Sequence, residues 1–158
     1  MKLIKENYLF LILILILFLL DRITKIKVIN YLEDKNFLFI NDYLNLNLVF
    51  NTGIGFGLFS LNAGIYYNIM SFFIFLIILV LIFIMIKSKT HEKIFFSFII
   101  GGAIGNLYDR IVFKAVPDFV DFHIETFHWF TFNIADIFIS FGILFMILNE
   151  IVFKKNEN

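Results

Sequence analysis

The chain holds 158 residues, 61% of them hydrophobic and 16% charged, with a mean hydropathy of +0.92. Soluble domains run at about 45–50% apolar and about 25% charged, so a water-soluble enzyme and a disordered chain are both excluded. Thirteen basic residues balance thirteen acidic ones and cysteine is absent, which leaves no bulk field to draw nucleic acid, no disulfide and no thiol chemistry.

A bilayer core about 30 Å thick takes about 20 helical residues, and four stretches meet that demand. They predict an all-α membrane protein: a single domain over 1–158 with spans at about 8–29, 65–86, 94–112 and 132–153. The first is unbroken apolar sequence from Tyr8 to Leu20. Asp21-Arg22 follows it instead of a small-residue cleavage site, so it reads as a retained helix and not a removable signal peptide. The connection at about 30–63 is too long for a turn. Phe37–Ile40 and Leu44–Phe50 read as short strands, the second alternating with period two, before Asn51-Thr52-Gly53 marks a turn and Gly55 and Gly57 loosen the chain. A small extracytoplasmic β platform between the first two spans is expected. The second span is uncharged and is expected to face lipid. The third ends in Asn106, Asp109 and Arg110. A short outer loop carries Pro117-Asp118-Phe119-Val120-Asp121, and Asn133 and Asp136 open the fourth span.

Four spans put both termini on one side, with Lys2, Lys5, Lys87, Lys89, Lys93, Lys154 and Lys155 near the span ends there. The short-loop bias makes that side cytoplasmic. Asp21, Lys25, Asn106, Asp109, Arg110, Asn133 and Asp136 then fall together at the outer face, with Glu150 the exception. Charges inside spans cost several kcal/mol on insertion scales and mark function, so this layer is the candidate site.

Each group also has a plain structural explanation. Asp21 and Lys25, at i and i+4, form a favourable helical pair that could merely ease an interfacial charge. Asn51-Thr52-Gly53 is common turn chemistry. Gly101, Gly102, Ala103 and Gly105 allow close helix approach. Asn106, Asp109 and Arg110 share a face, and an Asn one turn deeper than a terminal Asp-Arg pair has no anchoring duty. A helix dipole accounts for Asp136 or for Asn133 but not for both. Two aspartates in an apolar setting can share a proton, one as base toward water and the other polarising a carbonyl. His91, His123 and His128 are scattered, without a helical His-Glu-x-x-His pattern, so no metal site or cofactor is expected. A serine nucleophile lacks its motif.

In Asp21-Arg-Ile-Thr-Lys25, Asn51-Thr-Gly53, Gly101-Gly-Ala-Ile-Gly-Asn-Leu-Tyr-Asp-Arg110, Asp118–Asp121 and Phe132-Asn-Ile-Ala-Asp136 the chain resembles the signal peptidase II family of membrane aspartyl proteases. The resemblance implies an aspartic endopeptidase of the bacterial inner membrane. Its substrates would be diacylglyceryl-modified prolipoproteins, cut on the N-terminal side of the modified cysteine, with membrane lipids as surroundings and no nucleic-acid partner; a monomer is expected. It further implies catalysis by Asp118, nine residues after Asp109, together with Asp136. Asn51, Gly53, Asn106, Asp109, Arg110, Asn133 and Ala135 would line or support the pocket, and Asp21 and Lys25 would be structural. Pro117 and Ile54-Gly55 depart from the family pattern. A transporter would instead spread polar residues through the membrane and carry repeats. A scaffold would not need two converging carboxylates.

Overall fold

A computed structural model describes residues 2–35, 37–53 and 64–154. Four helices, α1 (Lys2–Leu32), α2 (Ile65–Lys87), α3 (Thr90–Val112) and α4 (Ile134–Lys154), are joined by four strands, β1 (Phe37–Asn41), β2 (Leu44–Asn51), β3 (Val116–Ile124) and β4 (Phe127–Phe132). Three helices, at Ile65–Lys87, Thr90–Val112 and Ile134–Val152, are long and apolar enough to cross a membrane by length and composition. At 31 residues, α1 is the longest helix, and it carries Asp21, Arg22 and Lys25 in its second half.

Central among them is α3, against which α1, α2 and α4 each pack. Its small residues permit this. A Cβ on Gly101 would lie 2.8 Å from Leu17 Cβ on α1, and one on Gly105 would lie 2.5 Å from Asp21 Oδ2. On the other flank, a Cβ on Gly102 would meet the backbone carbonyl of Ala135 on α4. Lower in the bundle α4 reciprocates: a Cβ on Gly142 would sit 2.6 Å from Ile99 Cγ1. Without a solvent-driven hydrophobic effect between helices in lipid, such close backbone approach is what holds them. The core gathers Ile14, Ile78, Met85, Phe96, Ile100 and Leu107, while Leu15, Phe73, Ile77, Val80 and Leu148 point outward.

The strands form one antiparallel sheet in the order β1-β2-β3-β4. The two strands expected in the first connection are present. The outer loop expected after α3 is not a loop. It is a β-hairpin, and its strand β3 is an inner strand of the sheet, paired with β2 from Leu44↔Phe122 to Asn51↔Val116 and with β4 from Val120↔Phe132 to Ile124↔Phe127. The platform is therefore built from both connections. Two signals concealed the hairpin. Pro117 argues against a central strand because it has no N–H to give, and the turn at Glu125-Thr126 lacks glycine or asparagine. Glu125 nonetheless takes the left-handed φ of 52° that the tight reversal needs. Gly55 and Gly57, and the Ile54-Gly55 departure, lie outside the described residues.

Candidate active site

The start of α4 is built by a reciprocal cap. Asn133 Oδ1 accepts the Asp136 N–H at 3.1 Å and Asp136 Oδ2 accepts the Asn133 N–H at 3.1 Å, a capping-box arrangement that uses both side chains. The same two residues also face inward. Asn133 Nδ2 donates to Asp118 Oδ1 at 2.6 Å, and Asn106 Nδ2 donates to Asp136 Oδ1 at 2.8 Å. From the end of β2, Asn51 Nδ2 donates to Asp118 Oδ2 at 2.9 Å. Asn133 thus touches both carboxylates, one from the hairpin and one from α4.

The orientation of all three amides is fixed by partners of unambiguous polarity. The Gly53 N–H donates to Asn51 Oδ1 at 2.7 Å, the Asp136 N–H donates to Asn133 Oδ1, and the Lys25 ammonium donates to Asn106 Oδ1 at 2.9 Å. Each amide oxygen is thereby occupied, so each NH2 is directed at a carboxylate. Arg110 ties the Asn51–Gly53 turn to α3, donating to the Gly53 carbonyl at 3.0 Å and the Asn106 carbonyl at 3.1 Å. Asp118 is only 3% exposed. Burial pushes its carboxyl up to about 6, and the charge of Asp136 pushes the same way against the stabilising bonds from Asn51 and Asn133.

Behind the two aspartates lies a buried charged quartet. Lys25 Nζ reaches Asp21 Oδ2 at 2.9 Å and Asp109 Oδ2 at 2.7 Å. Arg22 grips Asp109 through both terminal nitrogens, Nη1 to Oδ1 at 2.6 Å and Nη2 to Oδ2 at 2.8 Å, and lies 4.9 Å over the Tyr108 ring. Two cations and two anions cancel. Asp21 also accepts the Ala135 N–H at 3.1 Å, linking α1 to the first turn of α4. The i, i+4 pair read from the sequence is thus half of a larger cluster, and Arg22 was missed because adjacent helical positions are not expected to share a face, although its Nη2 also reaches Asp21 Oδ2 at 3.3 Å. The signal available was charge: Asp109 needs a second cation once Lys25 is shared.

Asp121 does not join the pair. Its carboxylate meets His128 Nδ1 at 2.8 and 3.0 Å and the Asn45 amide at 3.5 Å. His123 and His128, expected to be scattered, are instead opposed across the hairpin with ring centroids 5.0 Å apart. Beside Asp136, a cleft of about 310 Å³ runs along α4 between Phe130, Phe132, Ile137, Ser140, Phe141 and Leu144. Its walls are apolar except for Asp136 and Ser140.

A family model described as signal peptidase (SPase) II matches residues 13–152. The chain is 46% identical over 155 residues to the lipoprotein signal peptidase of Pelagibacter ubique (strain HTCC1062), covering 97% of this chain and 93% of that protein. It is 40% identical over 161 residues to the lipoprotein signal peptidase of Francisella tularensis subsp. novicida (strain U112), covering 99% of this chain and all of that one. A bacterial membrane enzyme solved by the in meso method shares the fold, with a TM-score of 0.77 and 24% identity, over 94% of this chain and 91% of its own.

Proposed function

The chain belongs to the signal peptidase II family, whose work is the removal of signal peptides from prolipoproteins, and from that premise we propose that it is an aspartic endopeptidase in which Asp118 and Asp136 form the reacting pair. The observation that carries this reading is Asn133, bonded to both carboxylates and so holding them at one depth. One ionised carboxylate takes a proton from water while the other, protonated, polarises the scissile carbonyl. The amide donors of Asn51, Asn106 and Asn133 hold the two carboxyl groups in place throughout.

All four helices of this single membrane domain span the bilayer, with the buried charges of α1 neutralised by α3. The termini are cytoplasmic and the pair lies at the outer face of the inner membrane. A diacylglyceryl anchor keeps the substrate's modified cysteine near that face, and the apolar cleft beside Asp136 suits acyl or apolar peptide groups. Cleavage on the N-terminal side of that cysteine is what the resemblance to the family implies, and the anchoring brings that bond to the depth of the pair. The test is incubation of purified protein, in detergent or lipid, with a diacylglyceryl-modified prolipoprotein. A shift to the mature size by the wild type, and almost none by Asp118→Asn or Asp136→Asn, is expected. Processing by both variants at the wild-type rate overturns the aspartic assignment.

A further inference from the structure

On the hairpin, away from the aspartate pair, Asn45 of β2, Asp121 and His123 of β3 and His128 of β4 come together. His123 is 7% exposed and Asn45 3% exposed. Both ring nitrogens of His123 and the Asn45 Oδ1 are buried without a hydrogen-bond partner. A buried polar atom left unpaired is costly, and three on the paired strands β2 and β3 point to a ligand. Their chemistry says which kind. The Asn45 oxygen and the Asp121 carboxylate only accept, and imidazole offers a lone pair. Such a set suits a cation.

The geometry narrows the class. His128 Nδ1 lies 2.8 Å from Asp121 Oδ2, so the carboxylate accepts a hydrogen bond from Nδ1–H in the tautomer that leaves Nε2 as a lone-pair donor. This carboxylate–histidine pairing is the usual outer support of a metal-bound imidazole. A ring bound to a metal at about 2.1 Å has its centroid about 3.2 Å from the ion, so two rings sharing a tetrahedral ion stand about 5 Å apart. The centroids of His123 and His128 are 5.0 Å apart and their planes differ by 34°. Among the described residues no three His, Cys, Asp or Glu side chains form a metal site; two imidazoles, supported by Asp121, are what the hairpin provides. Imidazole with oxygen neighbours favours a borderline first-row cation over magnesium or calcium.

We propose that His123 and His128 bind a divalent transition-metal cation of the zinc type, oriented by Asp121 and completed by water or the Asn45 oxygen. The ion clips β4 to β3, the strand that bears Asp118. It is separate from the hydrolytic pair, so its presence does not depend on the peptidase reading.

The test uses the full chain in detergent, without substrate, and two probes: Co2+ alone, read by visible ligand-field absorption, and Zn2+ alone, read by thermal unfolding and by displacement of Co2+. One equivalent of Co2+ bound and displaced by Zn2+ is expected. Zn2+ is expected to raise the unfolding midpoint of the wild type and to leave the His123→Gln/His128→Gln double variant unmoved. The single change His128→Gln, at the half-exposed position, should weaken Co2+ binding at least tenfold, and Asp121→Asn by about 10–100-fold. Because His128→Gln sits at the surface, its fold is expected to persist, shown by an unfolding midpoint in the absence of metal close to that of the wild type. Silence of the wild type toward both ions, or equal Co2+ affinity in the double variant, overturns the proposal and leaves the buried nitrogens to ordered water.

Discussion

Two aspartates three positions apart on β3 have opposite surroundings. Asp118 is bonded to Asn51 and Asn133, whereas Asp121 is bonded to His128 and Asn45. Asp118→Asn is therefore expected to abolish turnover and Asp121→Asn to leave most of it, measured as kcat/KM on a lipidated substrate. The Asp118→Asn and Asp136→Asn losses should not add, since either removes the water-activating unit. A second prediction follows from burial. With the Asp118 carboxyl raised to about 6, kcat/KM should fall as pH drops through about 6, where the pair gains its second proton. Stability has the opposite sign. The folded state holds the Asp118 proton more tightly than an unfolded aspartate near about 3.9, so this contribution is whole below about 3.9 and is lost as pH rises through about 6. Two pK units correspond to about 3 kcal/mol. Thermal midpoints at about pH 4 and about pH 7.5 should diverge between wild type and Asp118→Asn, with the wild type losing ground at the higher pH.

Among the elements, α3 carries the fold and its glycines set the distances. Gly105→Ala would push a methyl against the movable Asp21 carboxylate, and Gly102→Ala would push one against the Ala135 backbone, which cannot swing away. Both should destabilise, by about 1–3 kcal/mol for such overpacking, with Gly102→Ala the worse in thermal unfolding. Asp21→Asn is expected to lower stability more than kcat, because it removes the charge of a buried ion pair and turns an NH2 toward Lys25, while its remaining oxygen can still accept the Ala135 N–H and neither Asp118 nor Asp136 is touched. These seams were legible in the sequence, where Gly101, Gly102 and Gly105 precede Asn106 and Asp109 on one helix. So were β1 and β2, through period-two alternation and the Asn51-Thr52-Gly53 turn. The hairpin was not, since Pro117 and the Glu125-Thr126 reversal hide a strand that tertiary pairing to β2 enforces. Arg22 was equally hidden, because its partner lies 87 residues away.

For the whole molecule, the decisive question is which face of the membrane holds the polar layer. Reporter fusions after Lys89 and after Asn158 are expected to read cytoplasmic and one near Asp34 exterior; the reverse pattern would move the aspartate pair to the cytoplasmic face. Hydrolysis is expected to persist in strong chelators and in covalent serine or thiol reagents, since the carboxylates that would activate water are held by amides. Inhibition by a chelator that a specific metal reverses, and that persists in the His123→Gln/His128→Gln variant, would recast those carboxylates as ligands.

The neutral quartet also orders events in time. On the proposed four-span topology, α1 enters the bilayer with Asp21, Arg22 and Lys25, a net positive charge, while Asp109 is still 84 residues behind Lys25. Until α3 arrives, α1 is a poorly settled guest at the translocon exit. Nascent chains that stop short of Asp109 retain that unmatched charge, a cost the finished bundle escapes.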